Sequence, residues 1–247
     1  MNQHPLEIVP SKSEKRYLQS RHEIFRPTPL SIAFCGISTS GKSSQMTTVA
    51  NILFPIMDNI VLISHTHRED PAWEQLKQRI EARQLSRGEH PDTHPYVFEN
   101  LTQLPAIIAL QRERVREDKE NNAPHVRQLL LILDDLLGDM AHSKVLDAVV
   151  TRGRHNGISI LASSQTIKGL SSAMRKNFSA WALGKLSAAD WRVFEDEHAG
   201  SWVTREQLRE LYKRATQKKY GFLYYRPRSN DLEHMFYANF TERLLVS

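Results

Sequence analysis

Apolar residues in this chain come in short unbroken runs that alternate with segments of helical periodicity. Leu30-Ser-Ile-Ala-Phe-Cys35, Ile60-Val-Leu-Ile63, Leu129-Leu-Leu-Ile-Leu133 and Ile158-Ser-Ile-Leu-Ala162 are such runs. Each is long enough for one strand and too short for a core helix. Their continuous apolar character implies burial on both faces, as in a parallel sheet. Between them, Met46, Val49, Ala50 and Leu53 recur at helical spacing. Trp73 to Arg87, Leu104 to Lys119 and a stretch capped by Ser143, with Val145, Leu146, Val149 and Val150 on its apolar face, read as further helices. Tyr96-Val-Phe98 reads as a short strand. Later, Ala188 to His198 and Thr204 to Gln217 are predicted helices, and Tyr220 to Tyr225 and His234 to Tyr237 paired strands. The pattern predicts an α/β domain with a mainly parallel central sheet and a C-terminal β-hairpin.

The organisation expected is a basic N-terminal arm over 1–29, a core over 30–200, and a helix and hairpin extension of the same domain over 201–247. The arm carries Lys12, Lys15, Arg16, Arg21 and Arg26 and ends in Arg26-Pro-Thr-Pro29. Composition adds little to this. The 247 residues are 40% hydrophobic, enough for one large core. The formal net charge of +5, from 33 basic and 28 acidic residues, leans mildly toward a polyanionic partner. A single cysteine, Cys35, excludes an internal disulfide and fits a reducing compartment. No run approaches the roughly 20 apolar residues of a membrane-spanning helix, so a soluble, non-secreted protein is expected.

Chemistry enters at Gly36-Ile-Ser-Thr-Ser-Gly41-Lys42-Ser43, a G-x-x-x-x-G-K-S loop between a predicted strand and a predicted helix. In that setting it is a phosphate-binding loop. Its glycines let successive N–H groups, with the helix N-terminus, face one anion. Gly36, Ser38, Thr39, Ser40, Gly41, Lys42, Ser43 and Ser44 are therefore candidate nucleotide-binding residues. Lys42 would bridge the β- and γ-phosphates of ATP, and the Ser43 hydroxyl would hold Mg²⁺. The strand ending in Asp134-Asp135 supplies two carboxylates at the same sheet edge. In such enzymes the first, Asp134, holds Mg²⁺ and the second, Asp135, polarises the attacking water. Gln165, at the end of the next strand, can hydrogen-bond the γ-phosphate or the water. Arg152 and Arg154 precede that strand at the opposite edge, the place for an arginine finger offered to a neighbour. His65 and His67 with Asp70 lack the third and fourth ligands of a metal site.

The order of these parts resembles the FtsK/HerA superfamily of P-loop ATPases, RecA/FtsK-like three-layer proteins. The likeness is greatest to the viral genome-packaging, poxvirus-type branch. It is carried by the loop, the Asp134-Asp135 strand, Arg152-Gly-Arg-His-Asn-Gly-Ile-Ser-Ile-Leu-Ala-Ser-Ser-Gln165 and the following block to Leu183. Cellular members usually have glutamate where this chain has Asp135. The resemblance implies ATP hydrolysis that drives double-stranded viral DNA into a preformed capsid. It also implies a homo-oligomeric ring, a pentamer or hexamer, docked on capsid vertex proteins in the virion and the host-cell interior. Lys213, Arg214, Lys218, Lys219, Arg226 and Arg228, interleaved with Tyr220, Tyr224 and Tyr225, offer a candidate surface for a nucleic-acid backbone. A small-molecule P-loop kinase, and a nucleotide-dependent DNA-binding scaffold with little hydrolysis, are the competing readings.

Overall fold

The computed structural model describes residues 17–136, 140, 143–200, 202–229 and 231–246. Lys12, Lys15 and Arg16 of the expected arm lie outside them. Strands β1 (Ser31–Cys35), β2 (Asn59–Ser64), β3 (Val97–Phe98), β4 (Leu129–Asp134), β5 (Ile158–Ser164) and β6 (Ala180–Leu183) form the parallel part of one sheet. β7 (Leu223–Tyr225), β8 (Phe236–Ala238) and β9 (Glu242–Arg243) continue it antiparallel. The order is β3-β2-β4-β5-β1-β6-β7-β8-β9.

Helices cover both faces, which is why the strand runs are apolar throughout. α1 (Lys42–Leu53) and α2 (Glu74–Ser86) pack on one face. α3 (Leu104–Glu120), α4 (Lys144–Arg152), α5 (Ser172–Asn177), α6 (Ala188–His198) and α7 (Arg205–Ala215) pack on the other. Along β4 the side chains divide by the period of two: Leu129, Leu131 and Leu133 join the α3–α7 core, and Leu130 and Ile132 the α1–α2 core. Helix starts follow the sequence signals. Ser143 accepts the Leu146 amide at the start of α4, and Thr204 with Gln207 forms a capping box at α7. Val145 departs from the expected apolar face of α4 and stays exposed.

Two expectations are corrected. The segment from Tyr220 is not strand until Leu223, and Tyr220 itself sits in a turn at φ 63°. Tyr224 and Tyr225 are buried in the cores on opposite faces, so they form no nucleic-acid surface. The Tyr224 ring packs on Phe25 and Phe240, and its hydroxyl donates to the Ile24 carbonyl. Burial without full compensation pushes both tyrosine hydroxyls up, that of Tyr225 to about 12. Arg214 pairs with Glu242, and Arg226 donates to the His234 and Arg26 carbonyls. The described end of the N-terminal segment is likewise packed: Phe25 is buried, and Gln19 and Thr28 bond each other through backbone and side chain.

Candidate active site

β1 delivers the chain to Gly36 at the carboxyl edge of the sheet, and α1 begins at Lys42. Between them the loop closes tightly. Gly41 caps α1 at φ 85°, a backbone angle that side chains with a Cβ resist. The Lys42 ammonium donates to the carbonyls of Gly36 (2.8 Å) and Ile37 (3.0 Å). Burial pulls it below the usual lysine value, and the nearby Asp134 charge opposes that shift.

β5 lies between β1 and β4, so the strand that ends in Asp134 approaches the loop across one neighbour. The Asp134 carboxylate closes the gap. It accepts from the Ser43 hydroxyl at 3.3 Å, from Ser163 Oγ at 2.6 Å and from Trp73 Nε1 at 3.1 Å. Asp134 is nearly fully buried, and that burial pushes its carboxyl above the usual range, with the Ser163 and Trp73 hydrogen bonds opposing. Ser163 also accepts the Asp135 amide at 3.0 Å, holding Asp135 at φ 52°. Gln165 donates to Asp135 Oδ1 at 3.4 Å. One open cavity of about 690 Å³ is lined by Ser38 to Ser44, Asp134, Asp135 and Gln165 together. That volume suits a nucleotide.

The donor set also fits a hard divalent cation. Ser43 and Asp134 present oxygen only, already within one hydrogen bond of each other. Mg²⁺ is held by one or two such groups together with substrate phosphates and water.

Sequence reasoning missed several residues here. Trp73 and Asp70 arrive on a short turn before α2; Asp70 and Thr66 line the cavity, and Asp70 caps that turn through the Ala72 amide. Thr47 on α1 ties the same turn down through the Ala72 carbonyl. Asp70 was legible as a polar residue at a strand end, but nothing local marks Trp73, which is 61 residues from its partner Asp134. Tyr220, Phe222, Asn239 and Phe240 complete the lining. Among the described residues, six non-glycine residues have positive φ, and five of them, Thr39, Asp135, Tyr220, Asn239 and Phe240, line this cavity. Such backbone strain collects at functional sites.

Arg152 and Arg154 are not brought to this cavity. Arg152 ends α4, and Arg154 lies in the turn before β5, both exposed at the amino edge of the sheet. Arg154 lines a second cavity of about 590 Å³ with Arg26, Lys119, Arg226 and Arg228, and among the described residues no carboxylate lines it. Burial and then the Arg154 charge depress the Arg228 guanidinium below its usual value.

Residues 91–196, which carry Asp134, Asp135, Arg152, Arg154 and Gln165, match the family described as the poxvirus A32 protein. No curated protein matches the chain. Solved structures do. The genome packaging NTPase B204 from Sulfolobus turreted icosahedral virus 2, in complex with ATP-gammaS, has a TM-score of 0.53 at 13% identity, covering 90% of this chain and 100% of that one. Its AMPPCP complex has a TM-score of 0.54 at 16% identity, with 84% and 95% covered. The DNA-packaging ATPase B204 from Sulfolobus turreted icosahedral virus gives 0.51 at 15% identity, with 84% and 95% covered. The likeness to these structures is one of fold.

Proposed function

We propose that this chain, a P-loop ATPase of the FtsK/HerA type from the viral genome-packaging branch, works as a ring that drives double-stranded DNA into a preformed capsid. The observation that carries the reading is the convergence of Lys42, Ser43, Asp134, Asp135 and Gln165 on one nucleotide-sized cavity. In this reading the loop amides of 38–44 cradle the phosphates, and Lys42 leaves the Gly36 and Ile37 carbonyls to bridge the β- and γ-phosphates. Ser43 and Asp134 hold Mg²⁺, which when bound neutralises charge on the phosphate oxygens. Asp135 takes the proton of the attacking water, and Gln165, already hydrogen-bonded to Asp135, orients that water. A neighbour's Arg152 or Arg154 completes the site, so the active form is an oligomer, pentameric or hexameric, docked at a capsid vertex. Among the described residues no helix is long and apolar enough to cross a membrane.

DNA contacts should be to phosphates rather than bases, because a packaging motor must pass every sequence. The test is phosphate release from ATP with and without duplex DNA. Turnover should rise with DNA of any sequence, and the DNA affinity should fall steeply with salt as counterions are released. Turnover by a monomer, indifferent to DNA, would replace this reading with a small-molecule kinase. ATP binding without turnover under either condition would replace it with a scaffold.

A further inference from the structure

The phosphate loop and the segments flanking the C-terminal hairpin line the same cavity of about 690 Å³. Two aromatic residues of that lining, Tyr220 and Phe240, both sit at φ 63°. Bulky L residues avoid this conformation because the side chain crowds the backbone. In the turn from β8 to β9, the Thr241 amide donates to the Ala238 carbonyl, and the two central residues are Asn239 at φ 55° and Phe240. Left-handed angles at both central positions favour Asn-Gly, so Phe240 stands where glycine is usual. Its ring is fixed by Phe222, Tyr224 and Phe25, with centroids 4.6, 4.9 and 5.3 Å away.

Tyr220 differs in having little core to join. It is 56% exposed, in a turn closed by the Gly221 amide on the Lys218 carbonyl. Its Cδ1 lies 3.6 Å from where a Cβ on Gly41 would stand, so the ring abuts the phosphate loop itself. The Lys219 ammonium sits 4.9 Å from the ring centroid. An exposed ring on a strained backbone contributes little to folding, but it presents a flat face at the lip of a nucleotide-sized cavity.

We propose that Tyr220 and Phe240 form the base subsite: the purine of the nucleoside triphosphate stacks on Tyr220, Phe240 gives the subsite its apolar floor, and the phosphates run to Lys42. The inference rests on the ATP-binding reading above. The test measures Kd on the full chain for ATP and for inorganic tripolyphosphate, a probe that has no base. Tyr220→Gly removes the ring and relieves the left-handed strain, so its melting temperature should stay at or above the parent's. ATP should bind it about 5- to 150-fold more weakly, the equivalent of about 1–3 kcal/mol for one base–aromatic stack. Tripolyphosphate should bind it unchanged, and Tyr220→Phe should bind ATP like the parent. An unchanged ratio of the two Kd values in Tyr220→Gly overturns the inference, whether both ligands hold or both weaken. Lys42→Ala separates the two levels. It should weaken ATP and tripolyphosphate together, and if both bind it as tightly as the parent, the ATP site itself falls and the base subsite with it.

Discussion

Ser163→Ala is the substitution that most directly tests how this site is built. The hydroxyl is buried and works in both directions, donating to Asp134 Oδ1 at 2.6 Å and accepting the Asp135 amide at 3.0 Å. Losing a hydrogen bond to a buried carboxylate costs about 2 kcal/mol, and a half-buried amide left without its partner about 1 kcal/mol. The sum, about 3 kcal/mol, should lower the melting temperature by about 6–12 °C in a chain of this size. The loss has a pH signature. Burial raises the folded Asp134 pKa above its ordinary 3.8, and Ser163 is the foremost group opposing that rise. A carboxyl with a raised folded pKa stabilises the fold fully below its unfolded value, and that stability is lost as pH rises through the folded value. Removing Ser163 raises the folded value further. The destabilisation should therefore be larger at about pH 8 than below about pH 3, where Asp134 is protonated in both states. In phosphate-release assays the acid limb of the pH–rate profile should move to higher pH. A melting loss equal at both pH values, with an unmoved acid limb, would refute the claim that Ser163 governs the ionisation of Asp134.

Other substitutions probe separate parts. Lys42→Ala should abolish hydrolysis with the melting temperature retained, since it removes the main fixed charge on the transferring phosphate; phosphate release near the parental rate in a folded variant would end the proposed ATPase mechanism. Asp135→Asn should keep ATP affinity and lose turnover, as read by equilibrium binding beside single-turnover hydrolysis; normal turnover would mean another group positions the water. Arg154→Ala should keep ATP affinity and lower turnover about 10³-fold or more, the range of arginine fingers. Mixed with Lys42→Ala subunits it should regain part of that turnover, and absence of rescue in rings shown to contain both would remove Arg154 from the site.

The parts legible in the sequence are those whose cause is local. The β1–loop–α1 unit needs only an apolar run, two glycines and a helical period, and the carboxylates at the end of β4 follow from a run with no polar interruption before Asp134. The C-terminal part of the lining and the braces were hidden because distant segments make them. Trp73 reaches Asp134 only after the turn before α2 folds over α1. Tyr220, Tyr224 and Tyr225 look alike in a basic, aromatic stretch, yet strand alternation sends Tyr224 and Tyr225 into cores on opposite faces, while Tyr220 falls before the strand begins. Charge interleaved with aromatic residues reads as a surface, and which rings are covered depends on Phe25 and Phe236, residues well outside that stretch.

The two edges of the sheet are the reason the proposed function calls for an oligomer. β5 has seven residues and so spans about 23 Å at about 3.3 Å per residue. Gln165 follows its carboxyl end, and Arg154 precedes its amino end, which is farther apart than an arginine side chain reaches. The Arg154 turn is also held in place. A Cβ on Gly157, at φ 66°, would stand 2.8 Å from the Arg127 carbonyl, and the Tyr17 hydroxyl donates to the His155 carbonyl from outside. The arginine cannot swing to its own nucleotide, so any catalytic use of it lies on a second copy. Such a contact joins two different faces, amino edge to carboxyl edge, and a heterologous contact closes into a ring, the form proposed above, when its rotation closes on itself. The charges suit that arrangement. One edge gathers Arg154, Arg226, Arg228 and Lys119 around a cavity that no carboxylate lines among the described residues, and the other gathers Asp70, Asp134 and Asp135, with Lys42, around the proposed nucleotide site. In the proposed ring, nucleotide phosphates bound beside those carboxylates would draw the arginine edge of the next copy.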